Sequence, residues 1–131
     1  MIIVDSNTWA HFFNGDPEPH AVRLQRALEE ETDIAVLPVI ITEVLQGFRS
    51  NAGFRSARRV LVSLPVVHPT LECHVRAAQL FRFLRRRGIT VRGAVDCIIA
   101  QLCIDIDAEL LSPDRDFTHI ARQTPLRLSQ V

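Results

Sequence analysis

Four acids carry the chemistry that can be read from this chain. Asp5 closes the apolar run Met1-Ile2-Ile3-Val4, and Asp114 follows the apolar run ending at Ser112. Glu43 and Asp96 each fall early in a stretch with helical apolar spacing. If the four meet, two carboxylates ~4 Å apart repel by about 4 kcal/mol at an effective dielectric of 20. The fold must then protonate one of them or bind a cation. An all-oxygen donor set, with no His or Cys at ligand spacing, suits magnesium or manganese. Such an ion activates water and neutralises charge on a phosphoryl group, and two ions stabilise both attacking and leaving oxygens. Ser6 and Ser112 stand beside the acids and can hydrogen-bond a carboxylate or a metal-bound water. Asp116, two residues past Asp114, is a further acid in reach. Each residue also has a plainer role: Asp5 and Ser6 as helix caps, Glu43 as a solvated flank, Asp96 as a complement to a helix dipole, Asp114 and Asp116 as turn residues. The joint placement is what points to a site.

The elements that must position these residues alternate between strand-like and helix-like patterns, which argues for a layered α/β fold with a mainly parallel sheet. Met1 to Val4 reads as a buried strand, with Ser6, Asn7 and Thr8 able to cap the helix that follows. In that helix Trp9, Phe12 and Phe13 share one face, and Asn14-Gly15-Asp16-Pro17 ends it. A second helix covers about Glu18 to Glu31, and Ile34 to Leu37 is a second strand. Pro38 suits the first turn of a third helix, with Ile41, Val44, Leu45 and Phe48 as its stripe and Glu43 beside it. Asn51 to Ser63 is a fourth helix, and Pro65 to His68 a short third strand. A longer helix runs to about Arg87, stopped by Gly88. Val95, Ile98, Ile99, Leu102 and Cys103 mark another helix, with Asp96 in its first turns. Ala108 to Ser112 is a strand, Asp114 opens a short terminal helix, and Leu126 to Leu128 adds an edge strand.

Helix N-termini and strand carboxyl ends lie along one edge of such a sheet, where open α/β folds bind ligands. Length and composition agree with a single domain over residues 1–131. The chain is 47% hydrophobic and 23% charged, ordinary for a globular protein. It has no apolar run near the ~20 residues of a membrane span and no basic leader. Three cysteines, without C-x-x-C spacing, fit neither a disulfide framework nor a zinc site. A cytoplasmic setting is expected. Net charge is zero, yet all fifteen basic residues are arginine. They cluster at Arg55, Arg58 and Arg59, at Arg82, Arg85, Arg86 and Arg87, and at Arg92. Arginine suits phosphate through its planar fork, so Arg85, Arg86 and Arg87 are expected to contribute to binding a phosphate-bearing substrate.

The segments Ile3-Val4-Asp5-Ser6, Thr42-Glu43-Val44-Leu45-Gln46-Gly47-Phe48, Val91-Arg92 with Asp96-Cys97-Ile98-Ile99-Ala100, and Leu111-Ser112 with Asp114-Arg115-Asp116-Phe117 resemble the PIN-domain family. Within it they look most like the VapC-type toxins of bacterial type II toxin–antitoxin systems. The resemblance implies a three-layer α/β/α PIN-like fold and a Mg2+- or Mn2+-dependent endoribonuclease. It implies a homodimer or toxin–antitoxin hetero-oligomer, inhibited by a cognate VapB-type antitoxin and touching DNA only through that antitoxin. The family's metal-binding and catalytic acids map onto Asp5, Glu43, Asp96 and Asp114. Asp116 matches a further acid, Ser6 and Ser112 match small hydroxyl positions, and Arg92 matches a basic residue before the third acid. One departure stands out. Relatives often carry a hydroxyl residue two positions before the third acid, where this chain has Gly93-Ala94-Val95. That departure motivates an alternative, a catalytically weakened module that mainly binds its antitoxin or RNA. A receiver domain and a haloacid-dehalogenase-type phosphatase also gather acids at a sheet edge. Both are disfavoured by the absence of lysine, and the phosphatase also by Asp5-Ser6-Asn7 in place of Asp-x-Asp.

Overall fold

The first strand, β1 (Ile2–Val4), is buried along its whole length, as its uninterrupted Ile-Ile-Val run requires of a strand covered on both faces. Three more strands join it: β2 (Ile34–Ala35), β3 (Glu109–Leu111) and β4 (Arg127–Leu128). A computed structural model describes all residues, 1–131. The strands form one sheet in the order β2-β1-β3-β4, and every pairing is parallel. Seven helices complete a three-layer α/β/α fold: α1 (Ser6–Asn14), α2 (Pro19–Glu29), α3 (Pro38–Leu45), α4 (Asn51–Ser63), α5 (Leu71–Arg86), α6 (Ala94–Asp105) and α7 (Arg115–Gln123). None is long and apolar enough to cross a membrane.

The strand order decides where a ligand can sit. After β1 the chain adds β2 on one side, then returns through four helices to place β3 on the other side. Connections therefore leave the carboxyl ends of β1 and β3 in opposite directions, which opens a crevice between them. The register Ile2↔Glu109, Ile3↔Leu110, Val4↔Leu111 brings Asp5 level with Ser112 at the mouth of that crevice.

Packing fixes this register. Ile3, Val4, Leu110 and Leu111 are fully buried, and so are Trp9 of α1 and Phe117 of α7. A one-residue slip would turn these strands' buried side chains to the opposite face. Trp9 stacks on Phe13 at 5.7 Å and meets Phe12 edge-on at 5.9 Å. This aromatic group is a packing unit between α1 and its neighbours, with Phe13 reaching Phe48 at 5.9 Å.

Several local expectations change in the folded chain. Ser6, Asn7 and Thr8 do not cap α1. Asp5 does, its Oδ1 accepting from the Ser6 N–H at 2.8 Å. The helix thus starts one residue after the strand, because Asp5 has extended dihedrals and a short acceptor side chain. Pro65 to His68 is not a strand. Only Val66 bridges Val36, with the Val36 N–H donating to Pro65 O at 3.0 Å and the Val67 N–H donating to Val36 O at 2.9 Å. Pro65 has no N–H for a longer ladder. β2 ends at Ala35 rather than Leu37, since Leu37 is already the residue before α3. In α6 the buried side runs through Cys97, Ile99, Ala100, Leu102 and Cys103, while Val95 and Ile98 are half-buried. That helix packs on both α5 and the sheet, so its apolar surface is wider than one stripe. Gly88 does stop α5, in the left-handed conformation at φ 77°.

Candidate active site at the carboxyl ends of β1 and β3

Asp5, Glu43, Asp96 and Asp114 line a single pocket of about 320 Å³, together with Ser6, Arg92 and the start of α6. Each arrives by a different route. Asp5 is the residue after β1. Glu43 comes from the last turn of α3 rather than from near its start, because that helix is only eight residues long and begins at Pro38. Asp96 lies in the first turn of α6, and Asp114 caps α7 after β3.

Asp5 is the most enclosed of the four, only 5% exposed. Its Oδ2 accepts from Ser112 Oγ at 2.9 Å, and its Oδ1 accepts from the Ser6 N–H. Burial raises its pKa, and Asp114 adds to the rise, while the hydrogen bonds from Ser112 and Ser6 oppose it. Ser112 Oγ also accepts from the Asp114 N–H at 3.1 Å. One buried hydroxyl therefore ties the first acid to the backbone of the fourth. The Asp114 side chain is fixed in turn: its Oδ1 accepts from the Asp116 N–H at 2.9 Å as the cap of α7.

The second half of the pocket is held by charge. Arg92 Nη2 donates to Asp114 Oδ2 at 2.8 Å, and the Arg92 N–H donates to Asp116 Oδ2 at 3.3 Å. The guanidinium is otherwise open to solvent, with its side chain 77% exposed. Asp96 feels burial first, then Asp5, Asp114 and Asp116, and its carboxyl is pushed up to about 6 despite the opposing pull of Arg92. Glu43 is raised by burial and then by Asp5, with the Ser6 hydroxyl opposing. In all three acids burial is the main cause of the rise, and the neighbouring carboxylates add to it.

One oxygen each from Asp96, Asp114 and Asp116 lie within 4.8 Å of one another. That spacing fits a divalent ion taking several carboxylate oxygens. The donor set contains no softer competitor. Cys97 is buried beside Asp96, and its thiol is pushed up to about 11, so it stays a thiol. Asp116, already in reach of Asp114 in the sequence, therefore belongs to the tightest acidic group while also lying in the first turn of α7. Asp5 and Glu43 line the same pocket but fall outside that trio. At the departure noted in the sequence, Gly93 precedes α6 without a side-chain cap, and open space surrounds the position where a Cβ would stand. The position two before Asp96 is Ala94, which is exposed.

A second concavity of about 760 Å³ runs between α5 and the start of α6, and it shares Arg92, Gly93 and Ala94 with the acid pocket. No local pattern signals it, since its walls come from residues up to 24 apart on two helices and a loop.

Residues 2–123 match the family model described as "PIN domain". Ribonuclease VapC11 of Mycobacterium tuberculosis is 35% identical over 129 residues, covering 97% of this chain and 96% of that protein. Among solved structures, VapBC2 from Rickettsia felis bound to a DNA fragment of its promoter superposes with a TM-score of 0.78, at 20% identity and 98% coverage of both chains. FitAcB from Neisseria gonorrhoeae superposes with a TM-score of 0.77, at 14% identity, covering 99% of this chain and 97% of that one.

Proposed function

This chain belongs to the PIN-domain family, and from that premise we propose that it is the toxin ribonuclease of a type II toxin–antitoxin system, hydrolysing RNA phosphodiester bonds with Mg2+ or Mn2+. The observation that carries the reading is the convergence of Asp5, Glu43, Asp96 and Asp114 on one pocket from four separate elements. The relatives add the substrate class, being named ribonucleases over nearly the full chain. The solved VapBC2 complex likewise supports a VapB-type antitoxin as partner.

A divalent ion bound by these acids supplies positive charge against the phosphoryl oxygens and lowers the pKa of water. Asp96, Asp114 and Asp116 offer it oxygens at workable spacing, and Asp5 lines the same pocket. Ser112 and Ser6 hold the Asp5 carboxylate so that it need not reorient during the reaction. Glu43 lines the same pocket beside Asp5, and burial and then Asp5 raise its pKa, so a cation bound there would favour its charged form as a further ligand. Arg92 keeps the acids paired until an ion or a phosphate competes for them.

The test is cleavage of total RNA with added Mg2+ by the native protein, Asp5→Asn and Asp96→Asn. The native protein should cut and each variant should lose about 10²–10³ in rate. Equal cleavage by all three would sink the assignment. A native protein that binds Mn2+ and RNA but cuts nothing would instead support the binding-module alternative motivated by Gly93-Ala94. Size exclusion of the free protein would read the expected homodimer directly.

A further inference from the structure

We infer that the groove between α5 and α6 is a nucleotide subsite, holding the bases of the RNA strand next to the bond being cut. The inference rests on the ribonuclease reading above and adds a place for the substrate outside the acids.

Three observations converge on this occupant. The first is continuity. Arg92, Gly93 and Ala94 form a wall of both the acid pocket and the groove. A polymer whose phosphate sits among the acids must leave that pocket, and the groove is an adjoining, walled exit. The acid pocket, at about 320 Å³, is small beside the groove at about 760 Å³, which lies within the roughly 300–1,000 Å³ typical of small-molecule sites.

The second is charge. No acid lines the groove, while His74, Arg82 and Arg92 do. Arg82 is exposed and makes no salt bridge, unlike Arg76 six residues earlier on the same helix, which pairs with Asp105 at 3.1 Å. A polyanion is the complement of such a surface.

The third is the mixture of surfaces. Ala77, Phe81, Val91 and Ile98 give an apolar lining, and the polar groups lie among them. His74 Nδ1 is engaged with the Thr70 carbonyl at 2.8 Å, which makes it the protonated nitrogen and leaves Nε2 as an acceptor. Thr90 brings a hydroxyl, a donor and acceptor, and Arg82 brings donors. Phosphates alone need no apolar lining. Flat bases need one, with an aromatic ring and a few hydrogen-bonding groups at their edges.

The experiment uses the full-length protein in EDTA, where nothing is cut, and a fluorescein-labelled single-stranded RNA octamer of random sequence. The variants are Phe81→Leu, which keeps apolar volume and removes the aromatic face, Arg82→Ala and Thr90→Val. Fluorescence anisotropy should show Phe81→Leu binding about tenfold more weakly. Arg82→Ala should lower the salt slope of log K by about 0.7, the value of one lost phosphate contact on a single strand. With Mg2+ restored, Phe81→Leu and Thr90→Val should shift the distribution of cleaved sequences, while Mn2+ affinity by calorimetry stays native in all three. Unchanged octamer affinity and salt slope in folded variants with native melting temperatures would overturn the inference. So would variants that lose only antitoxin binding, or only self-association by sedimentation, because the groove would then seat a protein segment. If the native protein proves unable to cut RNA, the ribonuclease reading falls, whereas loss of octamer affinity in Phe81→Leu would still locate RNA in the groove.

Discussion

The acid pocket and the groove beside it share a wall and little else. In the pocket five carboxylates, from Asp5, Glu43, Asp96, Asp114 and the adjacent Asp116, face one arginine. No acid lines the groove, where Arg82 makes no salt bridge, His74 offers a ring nitrogen and Arg92 is shared with the pocket's acids. The pocket is built on the ends of the sheet and fixed by short hydrogen bonds to buried groups, as Ser112 shows. The groove is built on two packed helices and is lined mainly by small or apolar side chains. The contrast teaches a division of labour that net charge hides. The chain is neutral overall, yet it separates cation-seeking from anion-seeking surface over the width of a few residues. Arg92 stands at the boundary and belongs to both.

Ser112→Ala should break the pocket side of this contrast most clearly. The hydroxyl holds Asp5 Oδ2 and the Asp114 backbone together. Its loss should weaken Mn2+ binding by about 10–100-fold, the usual penalty for removing a partner that orients a metal ligand. RNA affinity in EDTA should not change. Calorimetric titration of Mn2+ with a native constant would mean that Asp5 is placed by its cap contact alone.

Arg92→Ala tests the boundary itself. The Asp114 contact involves a largely exposed guanidinium, so it is worth at most about 1 kcal/mol. Removing it should tighten Mn2+ binding by about two- to fivefold and weaken RNA binding at the same time. Opposite signs in the two titrations are the signature of a residue shared by both surfaces. Matching signs would assign Arg92 to one of them.

Burial of Asp96, with the acids around it, also predicts a pH-dependent stability. Asp96 has a folded-state pKa of about 6, above its ordinary 3.8. Between those values the native state binds more protons than the unfolded chain, so stability falls as pH rises through that window and the penalty is complete at pH 7. Asp96→Asn in EDTA should therefore melt a few degrees higher than the native protein at pH 7, with the gap closing at pH 4. Scanning calorimetry at the two pH values measures it, and equal melting temperatures at pH 7 would mean that Arg92 already offsets the repulsion.

The smallest effect belongs to the rest of the α5 arginines. Arg85 lies 5.6 Å over the Phe81 ring and Arg87 lies 4.3 Å over Phe83. Both are held by their own helix, near the C-terminal end where positive charge is favoured. Replacing Arg85, Arg86 and Arg87 by Ala should reduce the salt slope of RNA binding, but by less per residue than Arg82→Ala. A larger loss per residue would move the RNA path off the groove and onto the end of α5.

Much of this was legible before folding was considered. Helix α4 has the expected bounds, because Ser50 offers a cap and the 51–63 stretch has no internal breaker other than Gly53. Asp5 and Asp114 were recognisable because each follows an apolar run, and Asp96 because it opens a periodic one, both local patterns; Glu43 lies instead in the last turn of α3. Other features were not legible because they depend on contacts across the chain. The bond from Ser112 to Asp5 spans 107 residues. The Val36–Val66 bridge replaces an expected strand because Pro65 limits the ladder. The buried side of α6 is set by what packs on it, which periodicity within the helix does not encode.

The candidate groups were readable from the chain alone: acids after strand ends, hydroxyls beside them, and arginine as the only basic side chain with a permanent charge. Those are properties of residue type and near-neighbour pattern. Only the tertiary structure decided how the groups are partitioned. The parallel register of β1 and β3 sets Asp5 against Ser112, and the packing of α5 on α6 opens a groove without acids next to a pocket full of them. The physical reason is that electrostatic energy and cavity shape depend on distances across the fold, and those distances exist only once the core has closed.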